Sequence, residues 1–114
     1  MVTIARIGID TSKGSFQLHG VDAEEQVVLR KTLRRKQLLE YLAKQEVDEI
    51  GLEACGASHH WARVLGQLGY RVVLVPPQYV KGYVARGKND KNDAEAICEA
   101  MSRRRVRERL LPVK

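Results

Sequence analysis

Apolar and polar positions alternate between residues 4 and 10, where Ala5, Ile7 and Ile9 fall on one side and Arg6, Gly8 and Asp10 on the other. A period of two marks a strand with one apolar face. Here the strand ends in a carboxylate on the opposite face. A turn over residues 11–14 leads to a second strand, with Phe16, Leu18 and Gly20 in phase against Gln17 and His19. Residues 22–25 are polar and read as a hairpin loop, and residues 26–33 as a third strand with Val27 and Leu29 in phase.

The period then lengthens. Leu38, Leu39 and Leu42 are spaced as on one helix face within residues 35–45. Residues 49–54 return to a short strand, with Ile50 and Leu52 around Gly51. Ser58 fits the N-cap of a second helix striped by Trp61, Val64, Leu65 and Leu68 and closed by Gly69. The run Arg-Val-Val-Leu-Val at 71–75 is apolar enough for a strand covered on both faces, and Pro76 and Pro77 stop it. Residues 78–89 read as a loop holding Tyr79, Tyr83 and two glycines. A last helix begins near Asp90 or Asn92 and turns Ala94, Ile97, Ala100 and Met101 inward. The order βββαβαβα predicts an α/β domain: a mixed five-stranded sheet with helices on both faces. The 114 residues suit one such domain.

Composition narrows the partners. Apolar residues are 44% and charged residues 30%, a globular balance, and no apolar run approaches a membrane span. With no export signal either, the expectation is a cytoplasmic bacterial protein without membrane contact. Cys55 and Cys98 lack the spacing of a zinc site and read as reduced core residues. The net charge of +6 points to a polyanion. The cations collect in three groups: Arg30, Lys31, Arg34, Arg35 and Lys36; then Lys81, Arg86, Lys88 and Lys91; then the arginines of 103–109. Each group also suits a solvated helix face or helix C-terminus.

The acids converge on this layout. Asp10 ends the first strand and Glu53 the fourth, which this topology sets beside the first. Asp90 and Asp93 open the last helix three residues apart, on one face. Four carboxylates at one sheet end repel unless a cation joins them, so the pattern fits Mg²⁺, with Mn²⁺ as substitute, acting on a phosphodiester. Read alone, Asp90 and Asp93 fit helix capping equally well. His59 and His60 open a helix and suit packing better than a magnesium site, which prefers oxygen. Tyr79 and Tyr83, among Lys81, Arg86 and Lys88, suit base stacking and phosphate contact, and equally a loop pinned by two buried tyrosines. Lys13 suits a scissile phosphate or the acidic cluster itself.

The stretches IGIDTSKGSF, GLEACGASHHWA and LVPPQYVKGYVARGKNDKNDAEAI resemble, in order, the blocks of the insertion-sequence one-ten transposases, a family that includes the pilin-gene invertases. The resemblance covers nearly the whole chain. It implies a RuvC-like, ribonuclease-H-like N-terminal domain over residues 1–114, with an Asp-Glu-Asp-Asp tetrad at Asp10, Glu53, Asp90 and Asp93. It further implies DNA cleavage and strand exchange, guided by a structured RNA, in a homo-oligomeric enzyme. The family's nucleophilic serine lies in a C-terminal domain, and none of Ser12, Ser15, Ser58 or Ser102 sits in its motif. The expectation is therefore that the domain is incomplete as a recombinase by itself. Two other readings compete: a nucleic-acid-binding module that does not cut, and an actin-like phosphotransfer domain cradling phosphate in its Asp-Thr-Ser-Lys-Gly-Ser hairpin.

Overall fold

Chain order runs β1 (Thr3–Ser12), β2 (Ser15–Val21), β3 (Val27–Arg34), a 3₁₀ turn (Arg35–Gln37), α1 (Leu38–Ala43), β4 (Glu46–Glu53), α2 (Gly56–Gln67), β5 (Arg71–Val75), α3 (Pro77–Arg86), α4 (Asp93–Met101) and α5 (Arg104–Arg107). This computed structural model describes residues 3–12, 14–86 and 93–114, the side chains of Ser12 and of residues 82–86 excepted. The strands form one mixed sheet in the order β3-β2-β1-β4-β5. β1 is antiparallel to β2 and parallel to β4, and β4 is parallel to β5. The fold is the expected α/β, ribonuclease-H-like one.

The alternation read in β1 sorts the molecule into two layers. Ile7, Ile9, Phe16, Leu18, Ile50, Leu52 and Leu74 face α1 and α2, packing on Leu38, Leu42, Ala62 and Leu65. On the other face Val75 meets α3, α4 and α5 through Val80, Ala96, Ile97, Ala100, Met101 and Val106. Trp61 is partly buried on the first core, its ring edge-on to Phe16 at 5.0 Å.

Several expectations are corrected. The stretch after Pro77 is helix, not loop. Proline is favoured at a first helical position, and a glycine inside a helix costs only about 1 kcal/mol. Burial of Val80, with Tyr79 packed beside it, offsets that cost. The order is thus βββαβαβ followed by three helices. Leu39 and Leu68 point outward, at 36% and 58% exposure. α1 is only six residues, so Leu38 and Leu42 complete its inner face, and Leu68 stands at the C-cap where α2 has ended. Val27 is 47% exposed because a bulge at Gly20/Val21 breaks its phase with Leu29. Ser58 is not the N-cap of α2. That is Cys55, and Ser58 reaches back from three residues in: its Oγ accepts the Cys55 N–H at 2.8 Å and donates to the Cys55 carbonyl. Cys55 is accordingly exposed, while Cys98 is buried, and both are free thiols. Among the described residues no helix is long and apolar enough to cross a membrane.

Candidate metal centre

β1 and β4 carry the same triplet in the same register: Gly8-Ile9-Asp10 beside Gly51-Leu52-Glu53, with Gly8 opposite Gly51 and Ile9 opposite Leu52. One step further sets Asp10 beside Glu53. The middle residues go into the α1/α2 core, so the glycines and the acids share the face covered by α4.

The two glycines explain how closely α4 lies. A Cβ on Gly8 would overlap the Ala94 carbonyl oxygen and come within 2.6 Å of the Cys98 nitrogen. A Cβ on Gly51 would overlap the Met101 sulfur. With no side chains there, the helix backbone rests on the sheet, and its first residue, Asp93, arrives at the end where Asp10 and Glu53 stand. The far end of α4 is fastened by charge. Arg6 donates from Nε to the Cys98 carbonyl at 3.2 Å while its two terminal nitrogens hold both oxygens of Glu25, at 2.7 and 2.8 Å. Arg107 Nη1 binds Glu49 Oε1 at 2.7 Å and the Met101 carbonyl at 3.4 Å. Glu49 Oε2 has no hydrogen bond, but Arg71 Nε lies 3.6 Å away as an ion pair.

The electrostatics of the open end follow from this placement. Burial raises the Asp10 carboxyl above its ordinary value, and the charge of Asp93 raises it further. Glu53 is raised by burial, then by Asp93 and Asp10, with Lys81 of α3 pulling it back. Three carboxylates from three separate segments thus feel one another. As they stand, no three His, Cys, Asp or Glu side chains among the described residues are close enough to hold one metal ion. The fourth expected acid, Asp90, lies outside the described residues, as do Lys13, Lys88 and the side chains of Tyr83 and Arg86. The donor set is all carboxylate oxygen, which suits a hard divalent cation.

Other expected roles resolve locally. Tyr79 packs on the α3/α4 core, which favours the pinning role for that tyrosine. Lys81 is exposed beside the acids. His59 Nδ1 accepts the Lys114 N–H at 3.1 Å, and the His60 ring lies edge-on to Trp61. Burial pushes the Cys98 thiol up to about 11, so it is inert at neutral pH. Sequence reasoning missed Gly8, Gly51, Arg6 and Glu49 as supports of the site. The repeated Gly-apolar-acid triplet was the available signal for the glycines.

A family model of transposases, of the IS110 DEDD type, matches residues 7–113. The chain belongs to this transposase family. Relatives agree. A Sinorhizobium fredii protein bearing a transposase name, y4pF/y4sB, is 58% identical over 91% of the chain and 27% of its own length. A Pseudomonas aeruginosa protein named for a family 20 transposase is 47% identical over 99% of the chain and 33% of its own. The transposase for insertion sequence element IS1328 of Yersinia enterocolitica is 43% identical over 90% of the chain and 31% of its own. The chain therefore spans about a quarter to a third of the length of the curated relatives it matches.

Proposed function

We propose that this domain supplies the carboxylate centre of a DNA transposase: Asp10, Glu53, Asp90 and Asp93 hold Mg²⁺, or Mn²⁺ in its place, for cleavage and exchange of DNA strands. The convergence of Asp10, Glu53 and Asp93 at one sheet end, with burial and mutual repulsion raising Asp10 and Glu53, carries this reading. Repelling, half-buried carboxylates are destabilising alone and become favourable around a cation. A divalent ion there would polarise a phosphodiester and lower the pKa of an attacking hydroxyl. The residues themselves set where the phosphate sits. Asp10 and Glu53 are fixed by strands, Asp93 is delivered by α4, and Lys81 stands beside Glu53 to meet phosphate charge. Residues 1–114 form the N-terminal, RuvC-like part of that enzyme in this reading. The nucleophilic serine lies elsewhere in the enzyme, and the partners include a structured guide RNA and further copies of the protein.

Thermal unfolding with and without metal tests it. Mg²⁺ or Mn²⁺ at a hundredfold excess over Kd is expected to stabilise the domain by about 2.7 kcal/mol. Asp10→Asn or Glu53→Gln should abolish that gain. Asp10→Asn should also raise metal-free stability slightly, by less than about 1 kcal/mol given solvent screening, because one repelling charge is gone. A metal-induced shift that survives Asp10→Asn sinks the proposal. No shift at all, together with intact nucleic-acid binding, favours the non-cutting module, the reading consistent with the lack of a closed three-ligand group among the described residues.

A further inference from the structure

The register of the sheet extends the carboxylate face sideways. Asp10 pairs with Gln17 on β2, and Gln17 pairs with Thr32 on β3, so the three share one face of the sheet. Arg30 and Arg34 stand two residues either side of Thr32 on that same face, opposite His19 and Ser15. α4 covers only part of this surface. His19 is buried, Gln17 is half-buried, and Arg30, Thr32 and Arg34 are exposed. A shallow groove opens there, lined by Gln17, Leu18, Arg30, Lys31 and Thr32.

The charge is one-sided. β2 and β3 contain Arg30, Lys31 and Arg34 and no Asp or Glu. Lys31 is engaged on the opposite face, over the Tyr41 ring at 5.0 Å. Among the described residues neither Arg30 nor Arg34 makes an ion pair. The arginines of α5 differ: Arg107 is committed to Glu49 and Arg104 to Glu108, at the sheet end away from Asp10.

We propose that this β2–β3 surface is the track for the sugar-phosphate backbone of the DNA strand that enters the carboxylate centre. Strands lie about 4.8 Å apart, so Thr32 is roughly 10 Å from Asp10, within the span of a few linked nucleotides. Arg30 and Arg34 grip the strand's phosphates, and Gln17 and Thr32 offer hydrogen bonds between them. Attraction next to the acids is what a polyanion needs, since Asp10 and Glu53 alone would repel it. The proposal rests on the carboxylate centre acting on DNA, and its test separates the two.

The whole chain is titrated with a fluorescein-labelled single-stranded DNA oligonucleotide in EDTA at several salt concentrations, and with an RNA of the same sequence. Arg30→Gln/Arg34→Gln should weaken DNA binding and reduce the slope of log K against log salt by about 2. Thr32→Glu should weaken it too. The charge-matched pair Arg105→Gln/Arg109→Gln, exposed on the far side, should change the slope by less than half as much. Circular dichroism confirms that each variant is folded. Equal loss in both arginine pairs, no DNA binding by the wild type, or dependence on Arg30 and Arg34 for RNA alone overturns the track. Metal stabilisation is read separately on Arg30→Gln/Arg34→Gln and should persist. Its absence in the wild type would remove the metal chemistry while arginine-dependent DNA binding kept the surface.

Discussion

At Gly8 a single methyl group decides whether α4 can rest on β1. The added Cβ would meet helix backbone, the Ala94 carbonyl and the Cys98 nitrogen, which cannot swing aside. At Gly51 it would meet the sulfur and terminal carbons of Met101, a flexible chain. Gly8→Ala is therefore expected to cost about 2–3 kcal/mol in urea unfolding and Gly51→Ala about 1 kcal/mol, with metal stabilisation weakened more by Gly8→Ala. The reverse ranking would show that the helix does not lie where these contacts place it. The acids were readable from strand and helix ends. The role of Gly8 was not, because a glycine in a strand looks the same whether it faces water or a helix.

Elements differ in how much of them their own residues explain. The β2–β3 hairpin is locally written: Asp22 Oδ1 accepts the N–H groups of Glu24 and Gln26, shaping the loop that puts Glu25 at φ 65°. Its tie to Arg6 is tertiary. Hydrogen bonding to Arg6 holds the Glu25 carboxyl below its ordinary value. A depressed folded-state pKa adds stability above the unfolded value near 4.5, and the gain disappears as pH falls through the folded one. Glu25→Gln should remove that acid-side loss, flattening the stability profile below about pH 4.5. The effect should stay under about 1 kcal/mol because Glu25 is 58% exposed. Urea titrations of both proteins from neutral to acid pH measure it, and parallel profiles would exclude the coupling. α3 is the opposite case. Its glycine and prolines spell a loop, and only Val80 and Tyr79 meeting α4 make it a helix.

Over the whole molecule, the sheet face under α4 is graded from acids at one end to an ionic clamp at the other. Buried Glu49, 8% exposed, is held by Arg107 and Arg71, and through Arg107 it anchors the α4–α5 junction. Arg107→Met leaves that carboxylate with only the longer Arg71 contact and should cost about 2–4 kcal/mol. Glu49→Leu/Arg107→Met should recover most of the loss, because replacing both partners leaves no unpaired charge. Chemical denaturation of both variants decides it, and a single variant within about 0.5 kcal/mol of wild type would rule the clamp out. The five-strand layout itself followed from the periodicity and the parallel crossovers. The clamp did not, since Glu49 and Arg107 are 58 positions apart.

The sequence alone determined the strands, the two-faced burial of β1 and the acids at element ends, because periods of two and 3.6 are local and repeat often enough to outweigh noise. The family blocks lie along the same stretches. What only the tertiary structure decided was the depth at which α4 sits, the helical state of α3, the exposure of Cys55 and the cationic row beside Asp10. Each depends on which surface another segment covers, and burial across the sheet is energetic information that no single stretch of chain contains.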